Sequence, residues 1–256
     1  MNDRKMGDFK AQVYTYYKAH GRHTLPWRKT RDPYKILVSE IMLQQTQVDR
    51  VIPYYRNFMK KYPTAKALAS TSLAAVLTEW SGLGYNRRAK FLFQAAVEAE
   101  KNGGIPREYD ALRALPGIGD YTAKAVRVFA FNEPEALIET NVRAVFIHHF
   151  FPRTKKVEDK KLLPIIEKAL KGQSPREWYA ALMDYGSHLK RLHPNPSRRS
   201  KHHTKQAKFE GSLRQVRGAI LKAHTNGASL AGVRRKHAEQ FEQAFQSLVR
   251  DGLMQI

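Results

Sequence analysis

Two glycines one residue apart, Gly117 and Gly119, follow a proline between two stretches of helical composition and impose a tight turn. Glycine has no side chain, so the backbone can take angles, and can approach a ligand, in ways that other residues prevent. The helix after the turn begins with backbone amides that have no helical partner, and such amides bind phosphate. The turn therefore predicts two helices joined by a hairpin that grips a nucleic-acid backbone without reading bases.

Helical periodicity extends along most of the chain and predicts an all-α fold. Apolar residues at 3.6-residue spacing alternate with short Pro and Gly breakers, and no strand-like alternation of useful length occurs. The basic, apolar-poor segment 193–208 is typical of a linker or a flexible arm that faces nucleic acid. It separates residues 1–192 from residues 209–256, where three helices resemble a helix-turn-helix or winged-helix module. A small packing bundle is an equal interpretation of those three helices.

The charge balance favours a polyanionic partner. The 256 residues include 45 lysines and arginines against 23 aspartates and glutamates, a formal net charge of +22. Such an excess favours nucleic acid through counterion release, and a generally basic protein is the weaker interpretation. Because a long apolar span and a signal-like segment are absent, a membrane surface is the weaker candidate partner, and we expect a cytoplasmic (nucleoid-associated) protein that does not bind membranes. We also expect a monomer. The absence of cysteine excludes a thiol nucleophile, a zinc–thiolate site and a cysteine-ligated iron–sulfur cluster.

Two glutamates are the candidates for chemistry. Glu40 lies in a very apolar helical segment, where burial favours the neutral acid that a general acid requires; a solvent-facing stripe is the alternative. Glu139 lies just before a predicted helix, where it either caps the helix or faces a developing positive charge. One neutral and one ionised carboxyl group suit cleavage of an N-glycosidic bond, because the acid protonates the leaving base while the anion stabilises the oxocarbenium sugar.

Two polar segments are candidates for contact with DNA. Gln44 and Gln45 follow the apolar helical segment, where they read a base edge, wedge into a duplex or simply end the helix. A second glycine-rich loop places Tyr85 beside Arg87 and Arg88, which suits stacking and phosphate contact; an ordinary loop with a core-packed tyrosine is the alternative. The cations of the basic segment expected to give salt-dependent affinity for DNA are Arg198, Arg199, Lys201 and Lys205.

Several motifs occur in the order and spacing of a known family. They are Leu25-Pro26-Trp27-Arg28, Asp32-Pro33-Tyr34, Ser39-Glu40-Ile41-Met42-Leu43-Gln44-Gln45-Thr46-Gln47-Val48, Trp80-Ser81-Gly82-Leu83-Gly84-Tyr85 and the turn Leu115-Pro116-Gly117-Ile118-Gly119-Asp120-Tyr121-Thr122-Ala123. Over residues 8–192 the chain resembles the helix-hairpin-helix DNA glycosylases, specifically their adenine mismatch (MutY-type) branch. The resemblance implies a two-lobed helical fold, double-stranded DNA with a damaged or mismatched base as partner, and hydrolytic removal of a flipped base in base excision repair.

The resemblance also implies roles for individual residues. Glu40 is similar to the general acid that protonates the flipped adenine. Glu139 stands where the family has a catalytic aspartate, and Asn141 matches a nearby asparagine. Tyr121 stands where bifunctional relatives have a Schiff-base lysine, which implies a monofunctional enzyme. The resemblance assigns the base pocket to Leu25, Trp27 and Arg28, insertion into the duplex to Gln45 and Tyr85, and the hairpin to Leu115, Gly117 and Gly119, with a monovalent cation at the carbonyls of Leu115 and Gly117.

The chain departs from the family pattern in three respects. Glu139 replaces the aspartate, the four cysteines that hold an iron–sulfur cluster are absent, and residues 209–256 stand in place of the domain that recognises 8-oxoguanine. No cofactor is therefore expected. The expected substrate is adenine opposite 8-oxoguanine or guanine. The alternatives are a glycosylase for uracil or thymine opposite guanine, or for an alkylated purine, and a catalytically weak DNA-binding homologue.

Overall fold

The computed structural model describes residues 3–204 and 208–254, and its regular structure within these ranges is helical. Among these residues, β-structure is limited to an isolated bridge between Val157 and Ser200. The prediction of an all-α fold is thus confirmed. In chain order the α-helices are α1 Asp3–His20, α2 Pro33–Leu43, α3 Val48–Lys61, α4 Ala65–Ala69, α5 Leu73–Trp80, α6 Arg87–Lys101, α7 Tyr109–Ala114, α8 Asp120–Phe131, α9 Thr140–Phe150, α10 Asp159–Leu170, α11 Pro175–Leu192, α12 Leu213–Thr225, α13 Ala231–Lys236 and α14 Ala238–Arg250, and 3-10 helices span Pro26–Lys29 and Pro196–Arg199.

The chain divides into two compact units, and each unit is built from two separate stretches. Unit 1 comprises Met1–Pro33 and Asp120–Lys205, and unit 2 comprises Tyr34–Gly119 and Gln206–Ile256. The three C-terminal helices predicted from the sequence are present as α12, α13 and α14. Because α12 packs against α5, these helices belong to the same compact unit as the first stretch of unit 2. The two compact units therefore do not coincide with the predicted order of domain (1–192), linker (193–208) and C-terminal module (209–256).

Unit 1 is organised around α11, which packs against α1, α8 and α9. Trp178 of α11 and Phe146 of α9 are completely buried. The ring of Phe9 from α1 meets both edge-on, with centroids 5.4 Å from Phe146 and 5.9 Å from Trp178. Edge-to-face contact is a favoured geometry for aromatic pairs, and it adds to the hydrophobic gain of burying three large rings. This aromatic contact joins three helices that are far apart in the sequence.

Helix α11 approaches the start of α9 so closely that no side chain fits between them. The point of closest approach is Gly186, which is buried inside α11. A Cβ atom at this position would overlap the backbone oxygen of Asn141 and lie 2.8 Å from its carbonyl carbon. Glycine costs a helix about 1 kcal/mol relative to alanine, so its presence here is explained by packing. Gly186 thus fixes the distance between α11 and the first turn of α9.

Unit 2 encloses a very apolar helix, α2. The very apolar segment predicted to be buried corresponds to α2, whose side chains at seven positions are buried: Tyr34, Ile36, Leu37, Val38, Ser39, Ile41 and Met42. Elsewhere in the unit, Phe58 and Trp80 are almost fully buried and meet edge-on with their ring centroids 6.1 Å apart. Helix α6 packs against α4 and α5 in the same unit.

The start of the basic segment after α11, which the sequence predicts to be a linker or a flexible arm, is attached to unit 1. The 3-10 helix Pro196–Arg199 packs against α9. The backbone amide of Val157 donates to the Arg199 carbonyl at 2.8 Å, and the amide of Lys201 donates to the Val157 carbonyl at 2.9 Å. These bonds attach the start of the segment to unit 1. Lys205 lies outside the described residues.

Gly186→Ala is expected to lower the free energy of unfolding by about 2 kcal/mol, because the added methyl group forces backbone against backbone. Gly218 in α12 is the matched control, since an added Cβ there has no atom within 4 Å. Gly218→Ala should leave stability unchanged or raise it by up to about 1 kcal/mol. Urea unfolding followed by circular dichroism measures both changes. Similar effects at the two glycines would contradict the packing argument.

Candidate functional site

Glu139 forms the N-terminal cap of α9. Its Oε1 accepts hydrogen bonds from the backbone amides of Asn141 and Val142, both at 2.8 Å, and its Oε2 accepts one from Asn141 Nδ2 at 3.2 Å. Shorter side chains are the usual caps. Here the extended backbone of Glu139, with φ −122° and ψ 179°, lets the longer side chain fold back onto the same amides. Both carboxylate oxygens are therefore held in fixed positions.

Opposing effects act on the charge of Glu139. Burial raises its pKa above the usual value, while the amides of Asn141 and Val142 and the charges of Lys190 and Arg143 lower it. Burial also lowers the pKa of Lys190, and the negative charge of Glu139 opposes that shift. Lys190 is a site residue that the sequence motifs do not single out. The sequence feature that could have identified Lys190 is its spacing from Gly186. The two residues are four apart on α11 and therefore lie on the same helix face.

Asn141 presents one further polar atom at this position. Its Oδ1 is buried and has no hydrogen-bond partner among the described residues of the chain. A buried acceptor without a donor is costly and calls for a ligand or a solvent molecule. Tyr121, the residue predicted to replace a Schiff-base lysine, lies in the first turn of α8 and packs as a half-buried ring against the core of unit 1.

The structure gives Arg28 an internal partner in place of the predicted contact with a base. Asp184 of α11 is almost fully buried and accepts two hydrogen bonds from the Arg28 guanidinium, at 2.6 and 2.9 Å. Arg22 Nε donates to the same carboxylate at 2.6 Å. Although burial raises the pKa of Asp184, hydrogen bonds and charge from Arg28 and Arg22 hold it below the usual range. This ion pair fixes the loop that carries the buried Leu25 and Trp27.

Arg88 has an internal role as well, so the structure does not support its predicted contact with DNA. Its residue surface is only 9% exposed. Its guanidinium donates at 2.5–3.1 Å to the carbonyls of Ile41, Met42, Gln44 and Gly84 and to the hydroxyl of Thr46. Burial lowers the pKa of Arg88 to about 10. The N–H groups of this guanidinium donate to carbonyls that have no helical partner because α2 ends there.

The segments predicted to enter a duplex lie on either side of the Arg88 guanidinium. Gln45 has φ +55° and Tyr85 has φ +52°, both in the left-handed region that non-glycine residues rarely adopt. Gln45 is exposed, while Gln44 and Tyr85 are half-buried. The side chain of Arg87 is 61% exposed, and its Nε lies 3.8 Å from Asp251. Strained backbone of this kind is concentrated at functional sites in proteins.

The glycine turn has the tight geometry that the sequence predicts. Gly117 has φ +74°, and an added Cβ there would lie 2.6 Å from Cγ of Phe91, so both conformation and space require glycine. The amide of Ile118 donates to the Leu115 carbonyl at 3.1 Å, and Arg113 donates to the Ile118 carbonyl at 2.8 Å. An added Cβ at Gly119 would lie 4.0 Å from Nη1 of Arg113, which is ordinary van der Waals contact. Helix α8 begins immediately after Gly119, at Asp120. The cation site at Leu115 and Gly117 remains a prediction.

Arg199 closes the C-terminal end of α9 and is not free to contact DNA as predicted. Its Nη1 donates to the carbonyls of Phe151, Pro152 and Thr154 at 2.6, 3.0 and 3.2 Å. A cation at the carboxyl end of a helix is favourable because the last carbonyls carry partial negative charge. This guanidinium therefore anchors the 3-10 helix onto α9.

The two other cations predicted in the basic segment differ in their surroundings. The Lys201 ammonium lies 2.5 Å from a carboxylate oxygen of Glu158. Hydrogen bonds from Lys201 and Lys160 lower the pKa of Glu158 to about 2. Arg198 is exposed on the 3-10 helix. Of the three described cations of this segment that were predicted to contact DNA, Arg198, Arg199 and Lys201, Arg198 is thus the one whose guanidinium no other side chain or carbonyl is shown to engage.

Comparison with known proteins identifies the family. A sequence model for the HhH-GPD superfamily of base excision DNA repair proteins matches residues 38–169, just over half of the chain. The chain belongs to this superfamily. The matched range includes Glu40, the Tyr85 loop, the glycine turn and Glu139.

Relatives of the HhH-GPD chain include curated enzymes and a solved structure. The adenine DNA glycosylase of Buchnera aphidicola subsp. Baizongia pistaciae is 36% identical over 70% of this chain and 52% of its own. That of Mycolicibacterium smegmatis is 47% identical over 49% of this chain and 44% of its own. A thermostable thymine-DNA glycosylase superposes with a TM-score of 0.62 at 28% identity, covering 72% of this chain and 87% of that one. The chain spans about half the length of the curated relatives.

The iron–sulfur cluster of the glycosylases that the chain resembles does not fit these residues. The sequence has no cysteine, so no thiolate is present. The polar residues of the segment after α11 include serine, histidine, lysine and arginine, and Arg199 of this segment donates a hydrogen bond to the Phe151 carbonyl. No group of three or more His, Asp or Glu side chains within residues 3–204 and 208–254 is arranged to hold a metal ion. No helix in those ranges is long and apolar enough to span a membrane.

Arg88→Lys is expected to lower the free energy of unfolding by about 2 to 3 kcal/mol, because an ammonium group cannot satisfy the same set of carbonyls. Arg87→Lys is the matched control, since Arg87 is its exposed neighbour and its change should be within about 0.5 kcal/mol. Denaturant unfolding of both variants makes the comparison. An unaffected Arg88→Lys variant would mean that the buried guanidinium does not organise the turns of Gln44 and Gly84.

Proposed function

We propose that the chain is a monofunctional DNA glycosylase that removes adenine from a mismatch with 8-oxoguanine or guanine in double-stranded DNA. The observation that supports it most is the Glu139 carboxylate, which is fixed at the start of α9 by two backbone amides. A carboxylate held in this way is suited to stabilising a positively charged transition state, because it needs no reorganisation during the reaction. The curated adenine DNA glycosylases among its relatives support the choice of base.

The proposed reaction divides the chemistry between two carboxyl groups. Glu40 donates a proton to the adenine, and the electrons of the N-glycosidic bond leave with the base. Glu139 remains ionised and stabilises the oxocarbenium ion formed on the sugar. A water molecule then adds to the anomeric carbon and loses a proton. Each step is complete with these two residues and water, so the proposal includes no bound cofactor.

The cap geometry of Glu139 explains how a glutamate can serve at the position of the family aspartate. Its extra methylene is taken up by folding the side chain back, so the carboxylate stays on the amides of Asn141 and Val142. Burial raises the pKa of Glu139 on balance; the two amides and the charges of Lys190 and Arg143 oppose that rise, and the proposal depends on the ionised form that they favour. Asn141 is proposed to orient the carboxylate through Nδ2 and to offer its unpaired Oδ1 to the DNA or to water.

The proposed DNA contacts are retained where the side chains are accessible. Gln45, Tyr85 and the amides of the glycine turn are proposed to meet the duplex, with Gly117 forming the tight turn and Gly119 allowing close approach of a phosphate. Arg87 and Arg198 are proposed to neutralise phosphates, since both are exposed. Tyr121 occupies the position of a Schiff-base lysine, so no covalent intermediate between enzyme and sugar is proposed.

Single-turnover assays on duplexes with adenine opposite 8-oxoguanine, guanine or cytosine test the reaction. Excision is expected for the first two, with no adduct trapped by borohydride. Glu40→Gln and Glu139→Gln should each lower the rate by about 100-fold or more. Glu139→Asp should retain activity within about tenfold, since aspartate is a favourable cap at this position. Absence of abasic sites with every adenine duplex would rule out the adenine assignment.

A second candidate function is removal of thymine or uracil opposite guanine. The solved thymine-DNA glycosylase favours it, because 87% of that chain is covered at 28% identity. Duplexes with T·G, U·G and alkylated purines, added to the same assay, separate the two functions. A third outcome is DNA binding without excision of any base, with Glu40→Gln binding as well as the wild type. That outcome would identify a catalytically weak DNA-binding homologue.

Arg198 and Arg199 are expected to respond differently to substitution. Arg198→Ala should reduce the slope of log affinity against log salt by up to about 1 and leave stability unchanged, because it removes one phosphate contact. Arg199→Ala should lower the free energy of unfolding by about 2 kcal/mol, because three carbonyls lose their donor. Salt titrations of DNA binding and denaturant unfolding measure these effects. An unchanged slope in Arg198→Ala would contradict its assignment as a phosphate contact.

A further inference from the structure

The C-terminal helices dock on the part of unit 2 that carries Tyr85. The carbonyl of Asp251, just after α14, accepts a hydrogen bond from Lys90 Nζ at 2.6 Å. The carboxylate of Asp251 bonds to Arg217 of α12 at 2.6 Å and approaches Arg87 at 3.8 Å. Arg87 and Lys90 belong to the first turn of α6, which begins two residues after Tyr85. The C-terminal helices therefore contact the first turn of α6, the helix that directly follows the Tyr85 loop.

Arg214 extends from α12 to Tyr85 itself. Its guanidinium donates a hydrogen bond to the Tyr85 hydroxyl and lies 5.2 Å from the centroid of the Tyr85 ring. The buried guanidinium of Arg88 lies 5.2 Å from the same centroid. Tyr85 is thus held at its hydroxyl and at its ring while its backbone has φ +52°. A planar guanidinium can make both contacts at once, which the ammonium of lysine cannot.

The contact with Arg214 continues to an exposed aromatic residue. Phe209 is 56% exposed, and Arg214 lies 5.4 Å from the centroid of its ring. Aromatic rings interleaved with arginines form surfaces on which nucleic-acid bases stack. The chemistry of this cluster, formed by Tyr85, Arg214 and Phe209, therefore suits DNA bases and phosphates as the partner.

We propose that Arg214 is a positioning residue for DNA binding: it holds Tyr85 in the orientation in which the ring enters the duplex. The inference rests on the proposed function, from which we take it that Tyr85 enters DNA. It assigns a role to α12, a helix that lies outside the matched residues 38–169. Binding is tightened because the ring is ordered before DNA arrives, so less conformational freedom is lost on association. The C-terminal helices thereby contribute to recognition through unit 2.

The attachment of the C-terminal helices does not depend on Arg214 alone. The C-terminal helices are also attached by Asp251 to Lys90 and by packing of α12 on α5. Loss of the Arg214 side chain therefore leaves these attachments in place, and Arg214→Ala should keep a cooperative thermal transition. Tyr85→Phe provides a second variant that removes only the hydroxyl and keeps a ring able to stack on bases.

A double-mutant cycle tests the proposal with the full chain. Affinity is measured for a duplex with a tetrahydrofuran abasic analogue opposite guanine, which binds without reaction. Arg214→Ala and Tyr85→Phe are each expected to weaken binding by about fivefold, and the double variant no further, because both break the same contact. Arg235→Ala is the matched control, since Arg235 is an exposed cation of the same module. Its effect should multiply with that of Tyr85→Phe.

Fluorescence gives a second measurement that charge loss alone does not affect. With 2-aminopurine beside the abasic analogue, insertion of Tyr85 is expected to raise the emission at saturating protein, and Arg214→Ala to reduce that rise. Arg214→Lys keeps the charge but loses the planar contact, so it should behave like Arg214→Ala. Multiplicative effects of Arg214→Ala and Tyr85→Phe, full affinity in Arg214→Lys, or no binding of the duplex by the wild type would overturn the proposal.

These outcomes are distinct from failure of the proposed function. A cycle that shows coupling while no duplex in the excision assay loses a base would retain Arg214 as a positioning residue for DNA binding and reject the glycosylase. Base excision together with independent effects of the two substitutions would retain the glycosylase and reject the role of Arg214.

Discussion

The crossing of α9 and α11 at Gly186 is the contact on which the geometry around Glu139 depends. Because α11 has no side chain at this point, the backbone of Asn141 packs directly against it. The first turn of α9 is therefore fixed, and with it the two amides that hold the Glu139 carboxylate. Lys190 lies one helical turn beyond the crossing, which explains why its charge acts on Glu139. The electrostatics of this carboxylate are thus a consequence of helix packing.

Several arginines bond to groups inside the protein and stabilise the fold. Arg88 satisfies carbonyls at the end of α2, and Arg199 does the same at the end of α9. Arg28 neutralises the buried Asp184. In each case the planar guanidinium meets several acceptors at once, and the arrangement offsets the cost of removing polar groups from water. A net charge of +22 favours a polyanionic partner, but it does not identify which cations would contact such a partner.

The sequence predicts local features of this chain well and long-range pairings poorly. The helices, the buried α2 and the turn at Gly117 follow from periodicity, hydrophobicity and glycine placement, and the cap by Glu139 is one of its two predicted alternatives. The partners of Arg28 and Arg199 could not be predicted, because Asp184 and the end of α9 are far away in the sequence and no local pattern encodes the contact. The same reason hides the membership of the C-terminal helices in unit 2.

One guanidinium connects the two segments proposed to enter the duplex. Arg88 donates to the carbonyl of Gln44 on one side and to that of Gly84 on the other, and Gln45 and Tyr85, the residues that follow them, both have positive φ. Such conformations cost free energy and persist only where surrounding contacts enforce them. The bonds of Arg88 hold the carbonyl that precedes each of these residues, and Arg214 adds a further restraint on Tyr85. A shift of the Arg88 side chain would therefore break bonds to both segments, so the proposed contacts of both with a duplex depend on the same guanidinium.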